Sequence, residues 1–252
     1  MNKRTRWYDH ITINIYWLGL NIASGIITPV LLPYLVVLYM PEAYKNTYLA
    51  TIRVIGLAVA MLVQPLAGML SDRSTLRWGR RRPYIFAGAL LNVIFLSIVG
   101  ASYNLQGASL DNFFQPTFGA TTAYAALLAG TVLLQVSSNV AHGALQGLIP
   151  DLVPEDQRGR SSGVKAVMEL LPVFLVLFIG PLVDAGRIWL TVGIIMAAFL
   201  VTMLVTVLFV QEEPLREKPG GRIGEPILRL AALTVIFVAV TQAAVWFVRF
   251  SG

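Results

Sequence analysis

Residues 66–85 read LAGMLSDRSTLRWGRRRPYI. Five arginines and one aspartate fill a short break between two apolar runs. Charge is scarce elsewhere: 13% of the 252 residues are Asp, Glu, Lys or Arg, 56% are hydrophobic, and mean hydropathy is +0.70. An ordinary soluble domain carries about 25% charged residues. No charged residue occurs in 11–41, 83–110, 112–150 or 188–211. Crossing a bilayer core takes about 20 mostly apolar residues. These runs predict membrane-spanning helices, with 73–82 as a loop between two of them.

The expected fold is an all-α membrane protein. Six spans are predicted at 12–38, 48–71, 83–103, 121–149, 163–183 and 188–210. Together they form a six-helix N-terminal bundle over 1–210. Residues 211–229, rich in Pro, Gly and charge, read as a linker. Residues 230–249 read as a seventh transmembrane or interfacial helix. Lys and Arg favour cytoplasmic loops. One side receives Lys3, Arg4, Arg6, the five arginines of 73–82, Arg158, Arg160, Lys165, Arg216, Lys218, Arg222 and Arg229. The other receives Lys45, Arg53, Arg187 and Arg249. The N-terminus is therefore expected in the cytoplasm, and the linker with it. Residues 104–119 hold no Lys or Arg and read as an outer-face loop. The first apolar run exceeds a signal-peptide core, and no small-residue cleavage site closes it. The expectation is an integral, multi-pass protein, of the plasma (inner) membrane if bacterial.

With no cysteine, disulfide and thiol chemistry are excluded. His10 and His142 stand far apart, so neither a metal nor another cofactor is expected. No nucleophile–base set suggests an enzyme. The net charge of +6 sits in short loops between apolar runs, which argues for membrane lipid and against nucleic acid.

Asp72 lessens the positive charge of its loop, so topology does not account for it. Gly68 lies one helical turn before it and permits close approach of a neighbouring helix. Asp72 is then expected to meet the positive N-terminal end of that helix. Gly79 suits a tight turn, and Pro83 suits the first turn of span three.

This stretch resembles the signature between the second and third helices of major facilitator superfamily transporters. The longer form VQPLAGMLSDRSTLRWGRRRPYI, residues 63–85, resembles the sucrose-transporter branch and its glycoside–pentoside–hexuronide relatives. Residues 139–163, NVAHGALQGLIPDLVPEDQRGRSSG, resemble helix four and its following loop in the same branch. The resemblance implies a cytoplasmic gate formed by Gly68, Asp72, Arg73, Gly79, Arg80, Arg81, Asp151, Glu155 and Arg158. Glu155 and Arg158, three apart, are expected to pair on one helix face. It also implies a fold of two six-helix halves with the substrate between them. The chain supplies the first half, the linker and one further run. It is therefore expected to be a fragment, to pair with a second transporter half, or to serve as a subunit of a membrane complex.

Departures from the pattern bear on coupling. In the sucrose branch an acid precedes the helix-four asparagine by four residues and an arginine follows it by seven. Gln135 and Gln146 stand at those positions. Melibiose-type relatives carry aspartates within helix two, and this span has none before Asp72.

A polar face survives. Gln135, Asn139, His142 and Gln146 fall within about 60° of one face at 3.6 residues per turn. Polar side chains in a membrane face a protein interior or a water-filled cavity. Asn14, Asn21 and Thr28, seven apart, mark a matching face of span one. Asn21, Gln135, Asn139, His142 and Gln146 are thus the candidate substrate-binding residues. Glu169, with Lys165 one turn before it, is a candidate proton or ion site. Arg53 is expected to snorkel to the interface. The function expected is secondary transport of a sugar or similar small polar solute by alternating access. The alternative is a degenerate transporter half acting as a structural or assembly subunit.

Overall fold

A computed structural model describes residues 5–215 and 224–251. Lys3, Arg4, Arg216, Lys218 and Arg222, counted above for orientation, lie outside the described residues.

The described residues are mostly helical and contain no strand. The first span is α1 (Trp7–Ile26), a π-helical turn (Ile27–Leu31) and α2 (Leu32–Tyr39). Then follow α3 (Lys45–Asp72), α4 (Arg82–Ser102), α5 (Asp111–Phe118), α6 (Thr122–Gln146), α7 (Leu148–Leu152), α8 (Arg158–Asp184), α9 (Ile188–Phe209) and α10 (Gly224–Ser251). Among the described residues, seven helical stretches are long and apolar enough to cross a membrane. Several begin earlier than their apolar runs. The first starts at Trp7 because the Asp9 carboxylate accepts from the Arg6 backbone N–H at 2.7 Å, closing the helix start. Span five starts at Arg158 rather than 163, since helix outside the apolar layer can carry charge.

The π-turn has a local cause. The Leu32 N–H reaches back to the Ile27 carbonyl. Pro33 follows and has no N–H to offer the next carbonyl, that of Thr28. Arg53 of α3 donates its Nη2 to that carbonyl at 3.4 Å. Arg53, exposed on α3, thus also serves the backbone of the first span.

The interior is made by α1, α4, α6 and α9, with α3 packed on α6 and α8 on α1. Close helix approach is decided at Gly143. A β-carbon there would stand 2.3 Å from the Gln64 carbonyl and 2.9 Å from the Gly68 nitrogen. At Gly68 the nearest atom would be the Gly143 oxygen at 3.6 Å, an ordinary contact. The crossing expected from Gly68 is real, but Gly143 is the residue that must stay small.

Polar side chains tie the helices together. Asn14 donates to the His10 carbonyl at 2.8 Å and, across to α8, to the Ser161 carbonyl at 3.2 Å and hydroxyl at 3.0 Å. Ser137 and Ser138 of α6 donate to Asn92 of α4 at 2.5 and 2.9 Å. Thr206 of α9 donates to the Thr12 carbonyl at 3.1 Å.

The expected outer loop 104–119 contains a helix, α5. The lack of Lys and Arg bears on the side of the membrane and not on local structure, and eight residues are too few for a spanning pattern. The seventh run begins at Gly224, six residues before its apolar stretch. It packs on α3 and is otherwise largely exposed.

Candidate functional site

A cavity of about 450 Å³ opens between α1, α3, α6 and α8. Its size lies within the range of about 300–1,000 Å³ found for small-molecule sites. Asn21, Gln135, Asn139, His142 and Gln146 all line it, as do Thr28 and Glu169. Asn14 does not. It sits a helical heptad away where α8 closes over α1, and Ser161 takes its amide.

The amides are held by their own helices. Asn139 donates to the Gln135 carbonyl at 2.8 Å, and Asn21 to the Trp17 carbonyl at 2.9 Å. Each side-chain oxygen keeps its lone pairs for a visiting hydroxyl. Gln146 Nε2 lies 3.4 Å from His142 Nε2, where the amide N–H donates to the ring nitrogen in the tautomer that leaves it unprotonated.

Charge in the cavity is confined to one corner. Lys165 Nζ lies 3.4 Å from the Glu169 carboxylate and 3.9 Å from the centroid of Trp17. The ring face attracts the ammonium. The Trp17 ring meets His142 edge-on, with centroids 4.8 Å apart. Trp17 thus joins the charged pair on α8 to the polar face of α6. Gln64 of α3 also lines the cavity and was missed in the sequence. Its signal was there: it is the polar residue within an otherwise apolar stretch, next to Pro65.

The arginine loop gathers at one end of the bundle around Arg81, whose side chain is 7% exposed. Its Nη2 lies 2.5 Å from Asp72 Oδ1 and its Nε 2.5 Å from Asp151 Oδ2. Arg80 reaches the same Asp151 oxygen at 2.6 Å. Asp72 therefore pairs with an arginine of its own loop and not with a helix end. A flexible guanidinium beside it satisfies the carboxylate more fully than a dipole can. Gly147 makes room for Arg81, since a β-carbon there would lie 1.8 Å from Cζ. Gly79 turns the chain at a φ of +105°, a conformation that favours glycine.

Glu212, beyond α9, was read as linker and is part of this cluster. Its carboxylate accepts from the backbone N–H groups of Arg81 and Arg82 at 3.0 and 2.9 Å, capping α4. It covers Gly79, where a β-carbon would stand 2.5 Å from Oε2. Its signal was position: an acid directly after a span, on the side where basic residues collect.

The expected Glu155–Arg158 pair does not form. Glu155 lies in a 3₁₀ turn ahead of α8, so the two never share a helix face. Arg158 donates instead to the carbonyls of Val153 and Pro150, at 3.3 and 3.1 Å. Both residues line a cleft of about 780 Å³ with Arg80, Asp151, Glu212 and Glu213. Arg73 ends α3 through its backbone N–H, bonded to Leu70 at 3.2 Å.

Comparison with known proteins places these features in a family. The sequence profile of the Major Facilitator Superfamily matches residues 18–251. The sucrose transport protein SUC3 of Arabidopsis thaliana is 27% identical over 226 residues, which is 81% of this chain and 37% of that protein. The sucrose transport protein SUC4 of the same plant is 31% identical over 140 residues, 56% of this chain and 26% of that protein. The general alpha-glucoside permease of Schizosaccharomyces pombe is 26% identical over 210 residues, 80% of this chain and 37% of that protein. The chain thus spans well under half the length of these relatives. With seven apolar helices and a profile match over most of its length, it is a multi-pass integral membrane protein and belongs to the Major Facilitator Superfamily.

Proposed function

We propose that the chain carries the N-terminal half of a transporter that moves a sugar, or a similar small polar solute, by alternating access. The observation that carries this reading is the shared cavity of Asn21, Gln135, Asn139, His142 and Gln146. Amides and an imidazole both donate and accept, which suits a ligand made of hydroxyl groups. Relatives named for sucrose and alpha-glucosides support the choice of sugar.

In this reading residues 1–210 form the first bundle, 211–229 the linker, and 230–249 the first helix of the second half. The N-terminus and the arginine loop lie in the cytoplasm. Arg80, Arg81, Asp72 and Asp151 hold the cytoplasmic end closed, and Gly68, Gly79, Arg73, Glu155 and Arg158 shape it. Glu169 is the acid available to a proton or cation, with Lys165 as its counter-charge. His142, across Trp17, is a further titratable group of the cavity.

Calorimetry on the purified chain against mono- and disaccharides tests the substrate class. Saturable heat with a disaccharide is expected, and none with an apolar solute of similar size. Repeating the titration in buffers of different ionisation enthalpy tests Glu169. Proton exchange on binding is expected in the wild type and is lost in Glu169→Gln. Sugar binding with unchanged proton exchange in that variant would remove Glu169 and leave the substrate reading intact.

A further inference from the structure

The short helix α5 has a two-sided surface that the transport site does not use. At helical spacing, Leu110, Phe113, Phe114, Thr117 and Phe118 share one face, and Asn112, Gln115 and Pro116 share the other. The three phenylalanine rings form one patch, with centroids 5.6, 5.7 and 6.3 Å apart. This patch is not covered by the protein: Leu110 is 56% exposed, Phe113 59% and Phe118 65%.

The helix is fixed at a definite depth. At its start, Asp111 accepts from the Thr122 N–H at 2.7 Å, which ties it to the first residue of α6. At its end, the Tyr48 hydroxyl donates to the Gly119 carbonyl at 2.7 Å, which ties it to the first turn of α3. The Tyr48 and Tyr124 rings pack edge-to-face at 4.8 Å, joining α3 and α6 at that level. Exposed Tyr44 precedes α3 here, and exposed Trp189 opens α9 on the same side. Tyrosine and tryptophan at span ends mark the boundary between hydrocarbon and headgroups. The phenylalanine patch lies at the same end of the bundle as these residues.

Charge narrows the partner further. Between residues 83 and 150 Asp111 is the one charged residue, and its carboxylate is engaged by Thr122. On α5 itself a charged macromolecule finds nothing to pair with. A surface that is apolar below and hydrated above does fit, since an interfacial helix buries one face about 5–10 Å into the headgroup–acyl boundary.

We propose that α5 is an interfacial anchor that lies on the bilayer opposite the arginine loop, with its phenylalanines among the lipid chains. It holds the outer ends of α3 and α6 at the membrane surface. Having no basic residue, it needs no anionic lipid.

The chain has no cysteine, so single nitroxide labels can be introduced directly. Thr117→Cys places a label on the phenylalanine face and Gln115→Cys on the polar face. Both are read in phosphatidylcholine nanodiscs by collision with oxygen, which enriches in lipid, and with a water-soluble nickel chelate. The label at 117 is expected to favour oxygen, with several-fold lower nickel accessibility than the label at 115. Adding phosphatidylglycerol should leave the ratio unchanged. Adding Phe113→Ser and Phe118→Ser to the Thr117→Cys chain should raise its nickel accessibility to that of the label at 115. Equal nickel accessibility of the two labels overturns the proposal, because the helix then stands clear of the membrane. A label at 117 reached by neither reagent also overturns it, because protein then covers the patch.

Discussion

The guanidinium of Arg81 occupies the space a side chain on Gly147 would need, with Cζ 1.8 Å from where that β-carbon would lie. Gly147→Ala should therefore displace Arg81 from Asp72 and leave Asp151 with Arg80 alone. Overpacking a close-fitted site costs about 1–3 kcal/mol. Gly68→Ala should be nearly silent, because its β-carbon meets an ordinary contact at 3.6 Å. Thermal unfolding in detergent compares the two. Equal shifts would mean that Arg81 has other seats of similar energy.

Glu212 holds the start of α4 from outside the bundle. Glu212→Ala removes the acceptor for two backbone N–H groups, and loss of a helix cap costs about 0.5–2 kcal/mol. Faster amide exchange over residues 81–85 is expected, with little change at α9. Glu213→Ala, next in sequence and not bonded to α4, is the control. Protection retained in Glu212→Ala would leave this contact without consequence.

Asn14 and Ser161 bind α1 to α8. Interhelical hydrogen bonds in membranes average about 0.6 kcal/mol and reach about 1.7. A double-mutant cycle with Asn14→Leu and Ser161→Ala should give coupling in that range. Asn14→Leu should be the costlier single change, because Asn14 also serves the carbonyls of His10 and Ser161. Additive effects would contradict the contact.

Thr75, exposed in the arginine loop, and Ser109, exposed before α5, lie at opposite ends of the bundle. Single cysteines at these positions should react with an impermeant maleimide from opposite sides of sealed vesicles. Labelling of both from one side would refute the assigned orientation.

What the sequence made legible follows physical range. Long apolar runs announce spans, because the bilayer imposes one requirement on about 20 consecutive residues. Gln135, Asn139, His142 and Gln146 were readable together because a single helix sets their spacing. Gln64, Trp17 and Lys165 come to the same cavity from three other helices, and no local pattern relates them. Glu212 joins Arg81 across more than 100 residues of chain, so its cap was hidden in what looked like a linker. Glu155 and Arg158 failed in the opposite way. Their spacing fits a helix that begins only at Arg158. The helix in 104–119 was not legible from the absence of Lys and Arg, which indicates a side of the membrane and says nothing of local structure.

The central claim is that the polar face of α6 binds solute. Asn139→Leu and Gln146→Leu each remove hydrogen-bonding groups from the cavity, Asn139 from a buried position on α6 and Gln146 from an exposed one. Loss of one hydrogen bond to the ligand costs roughly 0.5–1.5 kcal/mol, a weakening of about 2- to 13-fold at RT ≈ 0.59 kcal/mol. Ser162→Ala, exposed on α8 and outside the cavity lining, is the control. The decisive measurement is the disaccharide dissociation constant, by calorimetry, for the wild type and these three variants, each with its unfolding temperature. The account predicts weaker binding in Asn139→Leu and Gln146→Leu, with the Gln146→Leu unfolding temperature and the Ser162→Ala affinity unchanged. Wild-type affinity in both α6 variants would contradict it.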